Sequence, residues 1–498
     1  MLKDSINKLN ELDLKLSSVF FTQSLMEWDS ETIASKEGVE QRSLVAGEIS
    51  KIYFNEFINE NVDELLKELN ENMDSLDEIS KAKLELYTKK FNNISKIPVK
   101  EYGDYQALIT KSYSAWENAR ENNDYKLFAP YLKEIIEYQK RFVKLRDSKL
   151  KTYDSLLDEF EPGIDMERLD VFFKELREEI VPLTDYICEN QKGNWDFLSS
   201  KYDIYKQEKF SRSLLPKLGF DINKGLLAVS VHPFTLNLSR DDVRITTRFV
   251  EDEITNSVFG TIHETGHAIY EQNISKEFGV SALTTGVSMG IHESQSRLFE
   301  NNFGRNINFW KGNYSALRKM FDVQLKDVSL EDWYKGINRV NRSLIRTEAD
   351  EVTYPLHIMV RYEIEKKIFN EDIDIMELPG IWNDLYKEYL GVTPKSDNEG
   401  ILQDVHWAGG AFGYFPSYAL GSAYAAQFEM ALRKTVDVDR DLKDMDMRNI
   451  NGWLKDNIHK FGSSKKPDRI LIDSTGEEFN PKYYTNYLKN KYKNPLII

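Results

Sequence analysis

The spacing of apolar residues predicts that the first 200 residues are mostly amphipathic helices. A stripe of leucine and isoleucine at helical spacing runs from Leu2 to Leu16, and apolar residues that recur every three or four positions are typical of one helix face. Two further helical patterns cover residues 129–150 and Met166 to Asn190. The second contains Pro182, where we expect a kink. No cluster of reactive side chains falls in this half, so we expect it to act as a scaffold or lid.

The pattern changes between Leu226 and Val250. Apolar and polar residues alternate there on both sides of a polar turn at residues 239–242. Strict alternation is typical of strands that bury one face, and two such runs joined by a short turn predict a β-hairpin.

Helical spacing returns after the hairpin. One helix is predicted from about Thr255 to Gln272, and later helices cover residues 288–302, 310–325, 340–369 and 423–433. Because we find no internal repeat and no evident linker, the sequence predicts a single, mainly α-helical unit.

Composition narrows the class of protein. The formal net charge is −16 at pH 7, and an acidic surface repels phosphate backbones and anionic membranes. Binding to nucleic acid or to a membrane is therefore not expected. Cys188 is the only cysteine, so no intrachain disulfide can form and a reducing cytoplasm fits best. The N-terminal residues are charged and lack the apolar run of a signal peptide.

The longest weakly charged stretch runs from Ala408 to Ala426. It contains Pro416 together with several glycines, serines and tyrosines, which is a poor composition for a membrane span. We expect this stretch to form a buried wall of a functional site.

The segment His263-Glu264-Thr265-Gly266-His267 carries the most specific chemical signal. Histidines four positions apart lie on one face of a helix, one turn from each other, so their imidazoles can hold one divalent ion. Glu264 lies about 100° around the helix from His263 and can reach a water molecule on that ion. The segment therefore matches the zincin arrangement of two zinc ligands and a general base.

Two histidines leave a catalytic zinc one protein ligand short. A third histidine beyond a further glycine is absent, because Ala-Ile-Tyr-Glu follows the second histidine. Glu271 is one turn further along the same helix, and three ligands in a row cannot surround one ion. Glu277, Glu293 and Glu300 remain candidates. For Glu293 the alternative is an ordinary surface pair with Arg297 at i,i+4.

Six short motifs follow one another between His232 and Trp407, and five of the seven histidines lie inside them. Together the motifs resemble the carboxypeptidase Taq family of metallocarboxypeptidases, with intervals of family-like length and no departure at a motif position. The joint match is highly specific, although each short motif other than the zinc pair is weak by itself. The motifs are His232-Pro-Phe234, Asp242-Val-Arg-Ile-Thr246, His263-Glu-Thr-Gly-His267, His292-Glu-Ser-Gln295, Ile345-Arg-Thr-Glu-Ala-Asp350 and Gly400-Ile-Leu-Gln-Asp-Val-His-Trp407.

The resemblance implies both a metal site and a fold. His263, His267 and Glu293 are the implied metal ligands, and Glu264 is the implied catalytic base. We expect one divalent metal per chain, because similar proteins usually hold zinc and some work with cobalt. The resemblance also implies an almost wholly α-helical fold with a deep groove and a very small antiparallel β-sheet, and it implies a homodimer.

The resemblance further suggests which groups stabilise the oxyanion during peptide hydrolysis. The candidates are His406 and a tyrosine, either Tyr414 or Tyr418. We prefer Tyr418 as the oxyanion donor and expect Tyr414 to contact the substrate. The alternative is that both tyrosines are simply packed, with their hydroxyl groups hydrogen-bonded.

Removal of a C-terminal residue needs a cation that binds the free α-carboxylate, and the planar fork of arginine suits this task. Arg346 is the first candidate, because it matches a motif that the resemblance associates with substrate binding, and Arg244 is the second. The alternative is a structural salt bridge between Arg346 and Asp350, one turn on. His232 either hydrogen-bonds the substrate or stabilises the turn at Pro233.

We therefore expect a cytoplasmic, metal-dependent carboxypeptidase that removes C-terminal residues from peptides with broad specificity. Residues 1–498 are expected to form one unit, with a helical scaffold or lid over about 1–200 and a catalytic core over about 201–498. Two other functions fit the same motifs, namely a helical endopeptidase or oligopeptidase and a catalytically silent peptide-binding protein. The intact Glu264 argues against the silent protein.

Overall fold

Twenty α-helices make up most of the part of the chain that the structure describes. That structure is a computed structural model, and it describes residues 2–146, 148–494 and 497. Within these residues, no helix combines the length and the apolar composition that crossing a membrane requires. In chain order the helices are α1 (Leu2–Thr32), α2 (Val39–Phe57), α3 (Glu60–Glu71), α4 (Glu78–Ser95), α5 (Val99–Asn122), α6 (Ala129–Leu145), α7 (Thr152–Phe160), α8 (Met166–Asn190), α9 (Ile204–Leu218), α10 (Ile254–Gln272), α11 (Met289–Arg297), α12 (Ile307–Met320), α13 (Leu330–Ile337), α14 (Tyr354–Asn370), α15 (Leu378–Leu390), α16 (Pro416–Leu432), α17 (Val438–Asp444), α18 (Arg448–Asn457), α19 (Pro467–Thr475) and α20 (Lys482–Tyr492).

Two predicted helices are confirmed with nearly the predicted limits. α8 begins and ends where its apolar pattern does and contains Pro182. The carboxylate of Asp165 caps its first turn by accepting a hydrogen bond from the backbone N–H of Arg168 at 2.9 Å. α10 begins one residue before the predicted start and ends at Gln272, so the periodicity located the helix that carries the two histidines.

The helix predicted over residues 340–369 is wrong in its first half. The chain up to Thr353 is irregular apart from a short 3₁₀ helix, Arg346–Glu348, and only then does α14 begin. The carboxylate of Asp350 accepts hydrogen bonds from two backbone N–H groups that follow it, which competes with helical hydrogen bonding. Pro355 then lies in the first turn of α14, where its missing N–H has no cost.

Other predicted helices differ from the structure at their ends. The pattern over 288–302 is α-helical only to Arg297 and continues as a π-helix, Leu298–Gly304. The helix predicted over 423–433 begins earlier, at Pro416. Proline is favourable in a first helical turn, so it starts this helix instead of interrupting it.

The small sheet contains the predicted hairpin and one further strand. The strands are β1 (Gly225–Val229), β2 (Thr235–Ser239) and β3 (Asp242–Thr247), with β3 in the centre. β2 and β3 are antiparallel, as predicted, but β1 pairs with β3 in parallel, so the sheet is mixed. A β-carbon on Gly225 would lie 1.8 Å from the carbonyl oxygen of Val243, which explains why β1 begins with glycine.

Buried apolar side chains of the described residues form two clusters. The smaller one is formed by α1 to α4 and extends from Leu9 to Phe91. The larger one contains buried side chains from Ile97 to Ile497. Within the larger cluster α11 packs against α10 on one side and α16 on the other, and these three helices carry the candidate site.

Candidate metal centre

Two imidazoles of α10 and one carboxylate of α11 converge on one point. Nε2 of His263 and Nε2 of His267 lie 3.7 Å and 3.4 Å from Oε2 of Glu293. The potential ligand atoms of the three side chains all lie within 4.8 Å of one another. Among the described residues this is the only cluster of three or more histidine, cysteine or acidic side chains close enough to hold a metal ion.

Glu293 makes both contacts that the sequence offered as alternatives. Its Oε2 faces the two imidazoles, while its Oε1 accepts a hydrogen bond from Nε of Arg297 at 2.7 Å. This pair is largely buried, unlike an ordinary surface pair. Burial by itself raises the pKa of Glu293, but Arg297 and His263 outweigh it and hold that pKa well below its usual value. The carboxylate is therefore ionised at neutral pH.

The other candidate glutamates lie elsewhere. Oε2 of Glu300 is 2.9 Å from the opposite ring nitrogen of His263, Nδ1. Oε1 of Glu271 is 2.7 Å from Nε2 of His292, and Glu277 belongs to a short 3₁₀ helix outside the cluster. Of the four candidate glutamates, only Glu293 of α11 has its carboxylate at the point that both Nε2 atoms face.

The donor set fits a divalent metal of the zinc type. Bonds of about 2.0–2.2 Å to a tetrahedral ion place two ligand atoms about 3.4 Å apart, close to the separations between Glu293 and the imidazoles. Nδ1 of each ring contacts another side chain, which leaves Nε2 free for an ion. Two imidazole nitrogens and one carboxylate oxygen are a common catalytic zinc set, with a fourth position for water.

Glu264, the predicted base, is held by the sheet. Its Oε2 accepts a hydrogen bond from Oγ1 of Thr235, the first residue of β2, at 2.7 Å. Only 6% of Glu264 is exposed. Burial raises its pKa, and His263 and the hydrogen bond from Thr235 partly oppose the rise. A raised pKa brings a carboxylate closer to the range in which it exchanges protons at neutral pH.

Two glycines let the three central helices approach one another closely. A β-carbon on Gly266 of α10 would lie 2.6 Å from the carbonyl oxygen of Gln295, and one on Gly421 of α16 would lie 2.5 Å from Cγ of Glu293. Neither separation is possible for real atoms without a shift. The position of Glu293 therefore depends on the absence of side chains on both sides of α11.

Gly421→Ala should weaken metal binding. The added methyl group overlaps the side chain of Glu293, and overpacking a tight core costs about 1–3 kcal/mol. Movement of Glu293 away from the imidazoles relieves this strain, so we expect a higher metal dissociation constant and a lower thermal midpoint. Gly452→Ala in α18 is the matched control, because nothing lies within 4 Å of its β-carbon. Equal metal affinities for the two variants would show that this contact does not position Glu293.

Three tyrosines and a histidine border the metal centre on the side of α14 and α16. The ring of Tyr354 lies 4.3 Å from the guanidinium carbon of Arg297, the arginine that pairs with the α11 carboxylate. The ring centre of Tyr418 is 6.3 Å from that of Tyr354 and 5.2 Å from that of Tyr414. Nε2 of His406 is 3.2 Å from the hydroxyl group of Tyr418. These side chains form one continuous aromatic wall.

His406 is a neutral imidazole in this wall. Burial lowers its pKa to about 4, and the nearby arginines add to this effect while Asp404 opposes it. Its buried Nδ1 has no hydrogen-bond partner within the described part of the chain. Because a neutral imidazole offers one donor and one acceptor, His406 has hydrogen-bonding capacity that the protein itself does not use.

Arg346 is paired, but its partner is not Asp350. Its Nε and Nη2 donate to Oδ1 of Asp404 at 2.9 Å and 2.8 Å, and its Nη1 donates to the hydroxyl group of Tyr354 at 3.2 Å. Since Asp350 caps the turn before α14, the alternative of an Arg346–Asp350 salt bridge is wrong. A guanidinium has five N–H donors, so Arg346 keeps donors for a further anion.

Asp404 joins two of the sequence motifs. One of its oxygens accepts hydrogen bonds from Arg346, and the other accepts one from Nε of Arg361 at 2.8 Å. None of the three side chains is more than 9% exposed. Burial by itself raises the pKa of Asp404, but the two arginines hold it well below its usual value. This buried triad fixes the segment of Arg346 against the segment that carries His406.

Arg244 and His232 lie on the sheet side of the fold. Nε and Nη2 of Arg244 donate to the two carboxylate oxygens of Asp242 at 2.9 Å and 2.8 Å, and its guanidinium carbon is 5.5 Å from the ring centre of Trp28. His232 is exposed, and its carbonyl oxygen accepts a hydrogen bond from Oγ of Ser230 at 2.6 Å. Among the described residues, neither side chain forms a hydrogen bond or an ion pair with the three side chains of the metal centre.

Sequence patterns did not reveal several residues that hold the site together. Thr235, Tyr354 and Asp404 act through partners that are distant in the chain, so no local spacing connects them. The sequence motifs gave only a weak indication of two of these residues. Thr235 directly follows the His-Pro-Phe motif, and Asp404 lies in the last motif, two residues before His406.

Known proteins show the same fold over nearly the whole chain. Residues 8–492 match the family model described as carboxypeptidase Taq (M32) metallopeptidase. The chain is 46% identical over 477 residues to carboxypeptidase 1 of Bacillus subtilis, covering 95% of each chain. It is 35% identical over 483 residues to thermostable carboxypeptidase 1 of Thermus thermophilus, covering 94% of each. The crystal structure of the M32 carboxypeptidase from Deinococcus radiodurans R1 gives a TM-score of 0.96 at 30% identity, covering 99% of this chain and all of that one.

The chain therefore belongs to the carboxypeptidase Taq (M32) family of metallopeptidases. The predicted class of enzyme, a metallocarboxypeptidase, is confirmed, and so is the predicted mainly α-helical fold with a very small sheet. A metallopeptidase of this family needs a divalent metal.

Proposed function

We propose that this enzyme removes C-terminal residues from peptides with broad specificity, using one zinc ion held by His263, His267 and Glu293. The convergence of both Nε2 atoms on Oε2 of Glu293 carries this proposal. Zinc is favoured because two imidazoles and one carboxylate are a common catalytic zinc set. The family resemblance allows cobalt as the alternative metal.

The proposed chemistry assigns tasks to four side chains. A divalent metal at this site supplies a water of lowered pKa and polarises the scissile carbonyl group. Glu264 takes a proton from the attacking water and delivers it to the leaving amine. Tyr418 and His406 donate hydrogen bonds to the developing oxyanion, and their separation of 3.2 Å supports a shared task. Tyr414 is proposed to contact the substrate beside them, since its ring packs against that of Tyr418.

Arg346 is proposed to bind the free α-carboxylate of the peptide. Among the described residues Asp404 is its only ion-pair partner. Its guanidinium carbon lies 5.0 Å from the ring centre of Tyr418, on the aromatic wall beside the metal centre. Arg244 is the second candidate, although Asp242 already accepts its bidentate pair. His232 is proposed as a further substrate contact, because its side chain is exposed at the turn before β2.

The reaction is tested with a mixed pool of peptides that have either free or amidated C-termini. We expect mass spectrometry to show a ladder of single-residue losses from the free peptides, many different residues at the released position, and no cleavage of the amidated ones. Internal cleavage of amidated peptides at a comparable rate would favour the oligopeptidase instead.

Arg346→Met should raise the KM of the free peptides far more than Arg244→Met, and the reverse order would exchange the roles of the two arginines.

Metal affinity should fall in acid, because both imidazoles must be neutral to bind a metal. Burial lowers the pKa of His267 to about 3, and His292 adds to the effect, so that ring is neutral over the working range. Burial also lowers the pKa of His263, but Glu293 and Glu300 outweigh it and raise that pKa above its usual value. One proton then competes with the metal, and affinity should fall about ten-fold per pH unit below the pKa of His263.

Zinc titrations of metal-stripped enzyme at several pH values measure this slope. Loss of activity in acid should follow the loss of bound metal, and zinc or cobalt should restore activity after chelation. Activity that falls while the metal content is constant would contradict the assignment of the imidazoles.

We further propose that the chain acts in the cytoplasm as a homodimer. Its single cysteine, Cys188, suits a reducing compartment. α2 buries only Phe57 along its 19 residues, and α1 and α2 expose apolar side chains that include Phe20, Phe21 and Leu44. An exposed apolar surface favours contact with another protein surface. Sedimentation equilibrium of the purified enzyme distinguishes the dimer from a monomer.

Within each chain we propose one unit, with a helical scaffold or lid over about residues 1–200 and a catalytic core over about 201–498. The larger apolar cluster runs across this boundary, from Ile97 to Ile497, which supports a single unit. The separate cluster of α1 to α4 suits the lid. All the proposed catalytic and metal-binding side chains lie in the second part.

A further inference from the structure

The two imidazoles of the proposed metal centre are supported in different ways. Nδ1 of His263 lies 2.9 Å from Oε2 of Glu300. Nδ1 of His267 lies 2.6 Å from Nδ1 of His292, and Nε2 of His292 lies 2.7 Å from Oε1 of Glu271. One ring therefore contacts a carboxylate directly, whereas the other reaches its carboxylate through an additional imidazole.

The chemistry of imidazole gives these hydrogen bonds a direction. A neutral imidazole has one N–H donor and one acceptor nitrogen, and a ring that binds a metal through Nε2 carries its proton on Nδ1. His267 then donates from Nδ1 to Nδ1 of His292. His292 in turn carries its proton on Nε2 and donates to Glu271. We call this series of hydrogen bonds, from His267 through His292 to Glu271, the relay. In it each ring nitrogen makes one interaction.

Glu271 is firmly anchored at the far end of this relay. Only 2% of the residue is exposed. Besides facing His292, its carboxylate accepts hydrogen bonds from the side chain of Asn237, from Oγ1 of Thr285 at 3.3 Å and from the backbone N–H of Gly286 at 3.1 Å. These contacts tie the carboxylate to β2 and to the loop before α11, and they orient it towards His292.

The ring of His292 is also confined by its surroundings. A β-carbon on Gly286 would lie 2.5 Å from Cδ2 of His292 and 2.9 Å from Cε1 of Tyr270. The ring centres of His292 and His267 are 4.5 Å apart. Glycine at this position lets the loop close over the relay without displacing the ring.

We propose that His292 and Glu271 are positioning residues that hold His267 in the tautomer and orientation required for metal binding. The proposal rests on the proposed metal centre. Hydrogen-bond partners of metal-binding histidines typically contribute about 10–100-fold to metal affinity. The relay also gives a role to Glu271, which lies two helical turns after His263 on the same face of α10 and is too far along the helix to share its ion.

The test measures zinc binding to purified, metal-stripped enzyme by competition with a chromophoric chelator, without substrate. His292→Phe keeps a flat ring but removes both nitrogens, and it should raise the zinc dissociation constant about 10–100-fold. Glu271→Gln keeps an oxygen that accepts from His292, so it should bind zinc more tightly than Glu271→Leu. In cobalt-loaded enzyme the visible absorption bands, which report ligand geometry, should shift for His292→Phe.

His357→Gln is the matched control for loss of a buried histidine. His357 is fully buried, with Nδ1 2.9 Å from the hydroxyl group of Tyr386, and it takes no part in the relay. This variant should lower the thermal midpoint without changing the zinc dissociation constant. It therefore separates a damaged fold from a damaged metal centre.

Each outcome decides the proposal. Wild-type zinc affinity and cobalt spectra in His292→Phe and in both Glu271 variants would overturn the relay and leave the metal centre standing. A wild-type enzyme that binds no zinc or cobalt would overturn both. If His292→Phe does not fold, the two Glu271 variants decide. Equal zinc dissociation constants for Glu271→Gln and Glu271→Leu would contradict the relay, whereas weaker zinc binding by Glu271→Leu would support it.

Discussion

Glu264→Gln should remove almost all hydrolysis and leave the metal in place. The amide cannot take a proton from water, and loss of a general base typically costs about 100- to 10,000-fold in rate. The shape of the site should persist, because Oγ1 of Thr235 can donate to the amide oxygen as it does to the carboxylate. Measurement of kcat/KM together with the metal content of the same preparation separates the two effects.

Glu277→Gln is the matched control for this substitution. Glu277 is exposed and lies shortly after the end of α10, so its loss should change neither rate nor metal content. An unchanged rate in Glu264→Gln would remove Glu264 from the mechanism. Loss of metal together with activity would instead make Glu264 part of the metal-binding set.

Asp404→Leu should cause the largest loss of stability. The substitution leaves the guanidinium groups of Arg346 and Arg361 buried without the carboxylate that they share. Removal of one partner from a buried ion pair typically costs about 3–5 kcal/mol. We expect a markedly lower midpoint in urea, and a higher KM for peptides because Arg346 and His406 lose their common anchor.

Asp446→Asn shows what an exposed ion pair contributes. Asp446 pairs with Arg448 on the surface, where solvent screens the interaction, so its urea midpoint should match that of the wild type. If Asp404→Leu were as stable as the wild type, Asp404 would not stabilise the two buried arginines. The peptide KM of Asp404→Leu would then show whether Asp404 acts only in substrate binding.

Much of the fold could be predicted from periodicity. α8 and α10 were located almost to the residue, because their apolar faces and their ends follow general rules of helix formation. The error over residues 340–353 arose because apolar spacing there is compatible with a helix, while the side chain of Asp350 takes the backbone N–H groups that a helix would use. The parallel pairing of β1 depends on contacts with β3, which the pattern within β1 does not encode.

The candidate site was only partly predictable. The spacing of His263 and His267 places both on one helix face whatever the rest of the chain does. Glu293 could not be chosen from spacing alone, and the family resemblance singled it out. Asp404 was hidden for a different reason. Its pairing with Arg346 joins residues 58 positions apart, and such a contact exists only once the helices have packed.

The central claim is that one divalent ion lies between the two histidines of α10 and Glu293 of α11. X-ray data collected from crystals of the purified enzyme on either side of the zinc absorption edge test it most directly. We expect one strong anomalous peak about 2.0–2.2 Å from Nε2 of His263, Nε2 of His267 and Oε2 of Glu293. A bound metal located elsewhere, with no peak between these three side chains, would contradict the claim.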